Sequence, residues 1–129
     1  MLGDYFVKIS IRNKNESSII DISAKKLDQF LAKMLRKTLI DLIKSNNVNI
    51  YINFSLVESL CPDILGIILA AHRVCAVNGG KISIYGLKSD MLLIFHIIQL
   101  DKYLNLYNNE SDAINHENTL RKSRLRLVK

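Results

Sequence analysis

The segment from Val48 to Gly80 constrains the fold most, because it passes from a strand pattern to a helix pattern across one short loop. Its first part, Val48–Phe54, is short and rich in β-branched and aromatic residues, which is typical of a central strand. Its last part, Asp63–Val77, has apolar residues at helical spacing, and Gly79-Gly80 then indicates a helix stop. A helix that begins at Asp63 therefore follows the carboxyl end of a strand, where α/β proteins commonly hold functional residues.

The same two patterns alternate along the rest of the chain. Strands are predicted at Tyr5–Ile11, Ser18–Ile22, Lys81–Tyr85 and Tyr103–Tyr107, and further helices from Leu27 up to Ser45-Asn46-Asn47, at Lys88–Gln99 and at Ser111–Leu120. Strands that alternate with helices predict an α/β sandwich. We expect one domain at residues 1–118 and a basic C-terminal tail at residues 119–129.

The apolar spacing also predicts which side of each helix is buried. The first helix has a stripe of Leu27, Phe30, Leu31, Met34, Leu35, Leu39, Leu42 and Ile43, and the second is expected to turn Ile64, Ile67, Ile68, Ala71 and Cys75 inward. Asp28 suits the helix dipole at the start of the first helix. Ser89-Asp90 is the expected cap of the third helix.

The net charge of +6 is concentrated at the C-terminus. The tail contains Arg121, Lys122, Arg124, Arg126 and Lys129 and no acid, which leaves +1 for the preceding residues. Specific nucleic-acid binding would call for a basic face on the folded domain. We therefore expect no specific nucleic-acid binding, and at most a weak contact of the tail with anionic surfaces.

Composition disfavours a membrane-spanning or secreted protein. The longest apolar runs, Ile64–Ala71 and Met91–Phe95, fall far short of the roughly 20 residues that span a bilayer. The first residues lack the pattern of a secretory signal, so a cytoplasmic location is expected. Cys61 and Cys75 have no partners at metal-binding spacing and are expected to be reduced thiols.

The pattern of titratable residues does not indicate an enzyme. His72, His96 and His116 are scattered, and no acid lies at a spacing that would form a catalytic triad or a metal site with them. His96 is expected to be a core residue, because its helix is apolar. The sequence therefore predicts a binding protein without a metal or another cofactor.

Three stretches of the chain carry a resemblance to a known family. They are Leu60–Leu69, LCPDILGIIL; Asn78–Gly86, NGGKISIYG; and Leu100–Leu104, LDKYL. Between about Tyr5 and Ile114 the chain resembles the STAS domain of bacterial anti-sigma factor antagonists, which has an Asp-Ser-Ser-Gly-Leu-Gly-type motif in the same loop. The resemblance implies a STAS-like sandwich, in which amphipathic helices pack against a mixed sheet of four to five strands.

The resemblance also implies a function in partner switching. Family members bind a serine kinase that acts as an anti-sigma factor, and phosphorylation of a serine at the N-terminus of the second long helix releases them. Alignment of Leu65-Gly66 with the motif places Asp63 at the phosphoserine position, so no phosphorylation is expected there. Asn53 replaces the family's acidic residue on the third strand, whereas Leu27-Asp28 resembles the family's Leu-Asp pair near the partner-binding surface. The partner-binding residues that follow are Asp28, Ser55, Glu58, Ser59, Cys61, Pro62, Asp63, Ile64 and Gly66.

Two interpretations of Asp63 stay open at this point. Its fixed charge imitates part of a phosphoserine, or Pro62-Asp63 is only a good helix start, since proline and an acid both suit the first turn. Ser55 and Ser59, in the loop before the helix, are candidates for a substitute phosphorylation site, against which stands the negative charge of Glu58 nearby. A second class of function, a STAS subunit of a lipid or anion transport complex bound to a cytoplasmic ATPase, is favoured by the tail, because cations near an anionic membrane contribute about 1 kcal/mol each.

Overall fold

The computed structural model describes residues 8–116 of the 129-residue chain. The start of the first predicted strand at Tyr5, the end of the last predicted helix and the whole basic tail lie outside the described residues. Predictions about the tail and about the domain boundary at residue 118 therefore stay predictions.

Strands and helices alternate along the described chain, as the sequence predicts. The strands are β1 (Ile9–Lys14), β2 (Ser17–Ile22), β3 (Lys26–Leu27), β4 (Asn49–Asn53), β5 (Ser59–Leu60), β6 (Lys81–Tyr85) and β7 (Asn105–Tyr107). The helices are α1 (Gln29–Lys44), α2 (Asp63–Val77), α3 (Ser89–Ile97) and α4 (110–116), with a 3-10 turn at Leu100–Lys102.

Five of these strands form a mixed sheet in the order β1-β2-β4-β6-β7. The edge strand β1 runs antiparallel to β2, and the other neighbours are parallel. Each parallel neighbour is reached through a helix, and right-handed crossovers in one direction place α1, α2 and α3 on the same face of the sheet. The expected mixed α/β sandwich is thereby confirmed.

Alternation along the strands divides the side chains between the two faces of the sheet. Ile20, Ile52 and Ile84 face the three helices and belong to the main core, in which all three are fully buried. Tyr51 and Tyr85 point to the opposite face, where they pack with Ala113 of α4. The sheet is therefore covered on both faces, by α1, α2 and α3 on one and by α4 on the other.

The structure corrects several details of the sequence prediction. Leu27 belongs to β3 instead of α1, and Phe30, assigned to the buried stripe, is 69% exposed. The expected cap of α3 at Ser89-Asp90 is wrong, because the N-cap residue is Lys88, which makes no side-chain cap bond. The Asp90 carboxylate lies inside the helix and accepts from the adjacent backbone N–H of Met91. Ile67 and Ala71 are only half-buried at the edge of the core.

The prediction also missed a second, two-stranded sheet that β3 and β5 form outside the main sheet. Lys26 pairs with Ser59 and Leu27 with Leu60 in parallel register. Each strand is only two residues long, too short to show an alternating pattern. This β3–β5 ribbon matters because each of its strands leads into the start of a long helix.

Candidate partner-binding site

The β3–β5 ribbon fixes the N-termini of α1 and α2 side by side at the carboxyl edge of the sheet. The Lys25 carbonyl accepts from the backbone N–H groups of Glu58 and Ser59 at 2.7 and 3.1 Å, and the Leu27 carbonyl accepts from Cys61 N–H at 3.0 Å. The loop before α2 is therefore bound along its second half to the segment before α1. Two helix N-termini, each with a partial positive charge, meet in one area.

Asp28 is the N-cap of α1. Its backbone is extended, and its Oδ1 accepts a hydrogen bond of 3.0 Å from the N–H of Leu31. A side-chain oxygen at this position satisfies one of the backbone donors that a helix leaves unpaired in its first turn. The predicted dipole role of Asp28 is thus accompanied by a direct structural one, while the residue itself stays exposed.

Asp63 occupies the first turn of α2 without such a bond. The N-cap of this helix is Pro62, which provides no side-chain cap, and Asp63 is the acid of the first turn. Asp63 is exposed, and no hydrogen bond or ion pair of its carboxylate with another residue of the described chain is found. The carboxylate is stabilised by the helix dipole and can be reached by another protein.

Ser55 is held much more firmly than its place in a loop suggests. Its hydroxyl and its backbone N–H both donate to Oδ1 of Asn53, at 2.6 and 2.9 Å, and its carbonyl accepts from Nζ of Lys88 at 2.7 Å. Gly86 approaches so closely that a Cβ there would lie 2.5 Å from the Ser55 hydroxyl. Ser55 is therefore part of the support of the loop, although its surface is exposed.

The other predicted contact residues divide into exposed and buried ones. Glu58, Ser59, Pro62 and Gly66 are exposed and Cys61 is half-buried. Ile64 is fully buried in the main core. The expectation that Ile64 contacts a partner is therefore corrected, whereas its predicted inward orientation is confirmed.

Two exposed apolar residues, which the sequence did not single out for binding, lie in the same segments as these polar groups, Phe30 two residues after Asp28 and Leu56 two residues before Glu58. Phe30 is 69% and Leu56 58% exposed. Phe30 lines a shallow groove of about 520 Å³ together with Asp28, Ser59 and Cys61. We call the exposed residues Asp28, Phe30, Leu56, Glu58, Ser59 and Asp63 the N-terminal surface. It combines apolar anchors with carboxylates, and lysines 25 and 26 border it.

A polar cluster on the face of the sheet opposite α1, α2 and α3 supports the loop that contains Ser55. Asn53 Nδ2 donates to Oδ1 of Asp21 at 2.8 Å, and Arg12 bonds both Asp21 and Glu110. Hydrogen bonds from Arg12 and Tyr85 lower the pKa of Glu110 to about 2, and the bond from Arg12 also lowers the pKa of Asp21. The cluster thus keeps two carboxylates charged and orients the Asn53 amide whose oxygen holds Ser55.

The three histidines have separate structural partners. His72 is half-buried, and its Nδ1 accepts from the N–H of Ile82 at 3.1 Å, while burial lowers its pKa. His96 is exposed and pairs with Asp101 at 2.8 Å, so its predicted place in the core is wrong. His116 bonds the hydroxyl of Tyr107 at 2.6 Å. Among residues 8–116 no group of three or more histidine, cysteine or acidic side chains could hold a metal ion.

Comparison by sequence identifies no relative: no protein-family model matches the chain, and no curated protein does. Comparison by structure identifies the fold. The chain is similar to an anti-sigma-factor antagonist (STAS) domain protein from Planctomyces limnophilus, with a TM-score of 0.76 and 10% sequence identity over 84% of this chain and 96% of that one. The fold is thus that of the STAS domain, which confirms at the level of fold the resemblance seen in the sequence.

Two further solved structures share this fold. One is the Bacillus cell fate determinant SpoIIAA in its phosphorylated form, with a TM-score of 0.68, 17% identity and coverage of 84% of this chain and 97% of that one. The other is the murine anion transporter Slc26a9, with a TM-score of 0.64 and 11% identity, where the match covers 84% of this chain and 18% of the transporter. In the part of this chain that the structure describes, no helix is long and apolar enough to cross a membrane.

Proposed function

We propose that this protein is a cytoplasmic regulatory module that acts by binding another protein, as an anti-sigma factor antagonist-like partner switch without catalytic activity. The observation that carries the proposal is the exposed carboxylate of Asp63 in the first turn of α2, for which no hydrogen bond or ion pair is found among residues 8–116. It lies where the resemblance to the STAS family places the phosphoserine. The proposed partner is an anti-sigma factor or a serine kinase of the partner-switching type.

The composition of the N-terminal surface supports protein binding. Exposed Phe30 and Leu56 provide the kind of apolar anchor on which binding energy concentrates, and exposed Glu58 and Asp63 provide charge for specificity. The β3–β5 ribbon binds the backbone of the segments that carry Phe30 and Glu58 to each other. Little conformational entropy is then lost when a partner docks on it.

The charge of Asp63 determines the state of the proposed switch. A phosphoserine adds a charge of about −1.5 to −2 at this position, and the Asp63 carboxylate provides a permanent −1. The solved phosphorylated form of SpoIIAA shares this fold, which supports a charge-dependent switch in such a domain. We infer that Asp63 keeps the module in the state that phosphorylation produces in other members, with weakened binding to the kinase-type partner.

The test is affinity purification from the native cell with the wild type, Asp63→Ser and Asp63→Asn as parallel baits, with the bound proteins identified and quantified by mass spectrometry. We expect both substitutions to raise recovery of one histidine-kinase-fold serine kinase, and direct titration with that kinase to show affinity about tenfold higher, or ~1.4 kcal/mol. Asp63→Ser, unlike Asp63→Asn, should then also become a substrate of the kinase.

Asp41→Asn is the matched control, because Asp41 is exposed on α1 and pairs with Lys37, near the end of the helix that is away from the N-terminal surface. It should leave recovery unchanged. If Asp63→Ser and Asp63→Asn bind the same proteins as the wild type with the same affinity, Asp63 is only a helix start. The switch would then be rejected, even though the fold assignment would stand.

A second candidate function is a STAS subunit of a lipid or anion transport complex bound to a cytoplasmic ATPase. The shared fold with part of Slc26a9 and the basic tail at residues 119–129 favour it. It predicts that the same purification recovers a transport ATPase with all baits alike. It also predicts flotation with anionic vesicles that is lost when residues 119–129 are deleted, whereas the partner switch predicts that deletion leaves kinase binding intact.

A further inference from the structure

A second surface of α1 and α2 lies away from their N-termini, in a groove between the two helices. Its walls are apolar side chains of both helices, including Ile40 and Ile43 from α1 and Ile67, Ala70 and Val74 from α2. The groove has a volume of about 330 Å³, within the range of small-molecule sites in proteins. We call it the α1–α2 groove.

The apolar walls of this groove are open to solvent. Ile40 is 36% and Val74 46% exposed, and Ala70, on the wall formed by α2, is also exposed. Removing such apolar area from water stabilises a bound acyl chain. Ala70 is a small residue among the larger lining residues Ile40, Ile67 and Val74. Substitution of Ala70 by a larger residue should therefore fill part of the groove.

Two cations provide the polar part of the groove. Arg36 and Lys44 line it one turn before and one turn after Ile40, about 12 Å apart along the helix axis. Neither forms an ion pair with a carboxylate among residues 8–116, whereas Lys37 of the same helix pairs with Asp41. The groove therefore combines an apolar channel for one chain with unpaired positive charge for an anionic head.

The two cations differ in their surroundings. Lys44 is the last residue of α1, where the helix carbonyls carry partial negative charge and already attract the ammonium group. Arg36 lies in the interior of the helix, and its guanidinium can bind a carboxylate through two parallel hydrogen bonds. An anionic head is consequently more stable at Arg36 than at Lys44.

We propose that the α1–α2 groove is a binding site for a single-chain carboxylate amphiphile of the fatty-acid class, with the acyl chain between Ile40, Ile67 and Val74 and the carboxylate on Arg36. The size of the groove suits one acyl chain, whereas a stable protein–protein interface requires about 800 Å² on each partner. This site is separate from the N-terminal surface and does not depend on the function proposed for it.

The test uses dodecanoate below its micelle concentration as the probe, with isothermal titration calorimetry and native mass spectrometry on the full-length protein. We expect saturable binding of one dodecanoate per chain. Dodecyltrimethylammonium, which has the same chain and a cationic head, should bind at least about tenfold more weakly, because the head would face Arg36 and Lys44.

Variants separate the chain from the head. Ala70→Leu fills the groove and should weaken binding at least about tenfold, whereas Ala76→Leu adds the same side chain at an exposed position of α2 that does not line the groove. Arg36→Gln should weaken binding about tenfold and Lys44→Gln about twofold or less. Lys33→Gln, a charge change on the same helix outside the groove, should leave binding unchanged.

Several outcomes would overturn the proposal. These are the absence of saturable binding, equal binding of the cationic probe, or unchanged affinity in a folded Ala70→Leu variant, whose fold is checked by circular dichroism. If Ala70→Leu fails to fold, Ala70→Gln is the second variant, and unchanged affinity there has the same meaning. A monomer–dimer equilibrium in sedimentation that Ala70→Leu abolishes, without dodecanoate binding, would assign the groove to a second copy of the chain.

Discussion

The two halves of the loop between β4 and α2 differ sharply in how they are held. In the first half, Phe54 and Val57 are fully buried, and Ser55 is fixed by Asn53 and Lys88. In the second half, Glu58 and Ser59 are exposed and are held through backbone bonds to the Lys25 carbonyl. The first half thus anchors the loop in the domain, with Leu56 as its exposed exception, and the second presents side chains that other molecules can reach.

This difference changes how the serines of the loop are interpreted. Ser55 and Ser59 are equivalent in the sequence as alternative phosphorylation sites. In the structure the Ser55 hydroxyl is engaged with Asn53 and its neighbourhood is filled by Gly86, whereas Ser59 lies on the groove beside Phe30. Phosphorylation of Ser55 would break the hydrogen bond of its hydroxyl to Asn53, although the residue itself is exposed, whereas no such bond is found for the Ser59 hydroxyl among residues 8–116.

Among substitutions that test how the first half of the loop is anchored, Gly86→Ala should lower the free energy of unfolding most. Gly86 has a φ of +82°, and a Cβ would lie 2.9 Å from the backbone nitrogen of Ser55. Strain of 1–3 kcal/mol for the backbone and a similar cost for the clash should lower the free energy of unfolding by about 3 kcal/mol or more. Urea denaturation followed by circular dichroism measures the loss.

Gly79→Ala is the matched control for that substitution. Its φ of +84° is nearly the same, but a Cβ there meets no atom within 4 Å. We expect Gly79→Ala to cost only about 1 kcal/mol, from backbone strain alone. Equal losses in the two variants would show that the contact of Gly86 with Ser55 does not hold the loop.

The next effect concerns the acids at the two helix starts. Asp28→Ala should lower the free energy of unfolding by about 1 kcal/mol, because Leu31 N–H loses its cap, whereas Asp63→Ala should change it by less than about 0.5 kcal/mol. Thermal or urea unfolding of both variants checks the difference. Asp28→Asn keeps a capping oxygen and should stay close to the wild type, so a loss as large as in Asp28→Ala would assign the effect to charge instead.

Much of the fold could be predicted from the sequence, because the apolar residues recur with a clear strand or helix spacing. The bounds of β6 and α2 agree with the prediction, since Lys81–Tyr85 and Asp63–Val77 have clear strand and helix patterns between strong stop signals. Phe30 was misplaced because the apolar stripe of α1 is wider than the face that the sheet covers. Periodicity says which residues can be buried and does not say how far the neighbouring layer extends.

The candidate site was predictable only in part. The positions of Asp28 and Asp63 followed from helix-start chemistry and from the resemblance. Their proximity depends on the β3–β5 ribbon, and the fixation of Ser55 depends on Gly86 and Lys88, more than thirty residues further along the chain. Such contacts between distant segments arise from tertiary packing and leave no local pattern in a single sequence.

The comparison between the two serines can be sharpened with a smaller effect. Ser55→Ala removes a hydroxyl that donates to Asn53 and should lower the free energy of unfolding by about 1 kcal/mol or less, whereas Ser59→Ala, for which no side-chain hydrogen bond is found in the described chain, should be close to neutral. Urea denaturation of the two variants in parallel gives the difference. A larger loss for Ser59→Ala would reverse the assignment of anchoring and presenting halves.

The smallest effect is a pH dependence that originates under the anchoring half, in the cluster of Arg12, Asp21 and Glu110. The pKa of Glu110 is about 2 in the folded protein, below its ordinary value of 4.5, so the unfolded chain takes up the proton first as the pH falls. Its contribution to stability is complete above pH 4.5 and is lost between that value and about pH 2. Partial exposure of Arg12 and Glu110 screens the interaction and keeps the effect small.

Urea denaturation of the wild type and Glu110→Gln between pH 6 and pH 2.5 measures this contribution. We expect the two curves of stability against pH to differ most at pH 6 and to converge as the pH falls, because protonated glutamate and glutamine have similar hydrogen-bonding groups. The depressed pKa of Asp21 remains in both proteins, so the remaining slope below pH 4 reports on Asp21 and the other acids. Parallel curves would show that Glu110 is not bound by Arg12 in solution, and the support of Asn53 would then rest on Asp21 alone.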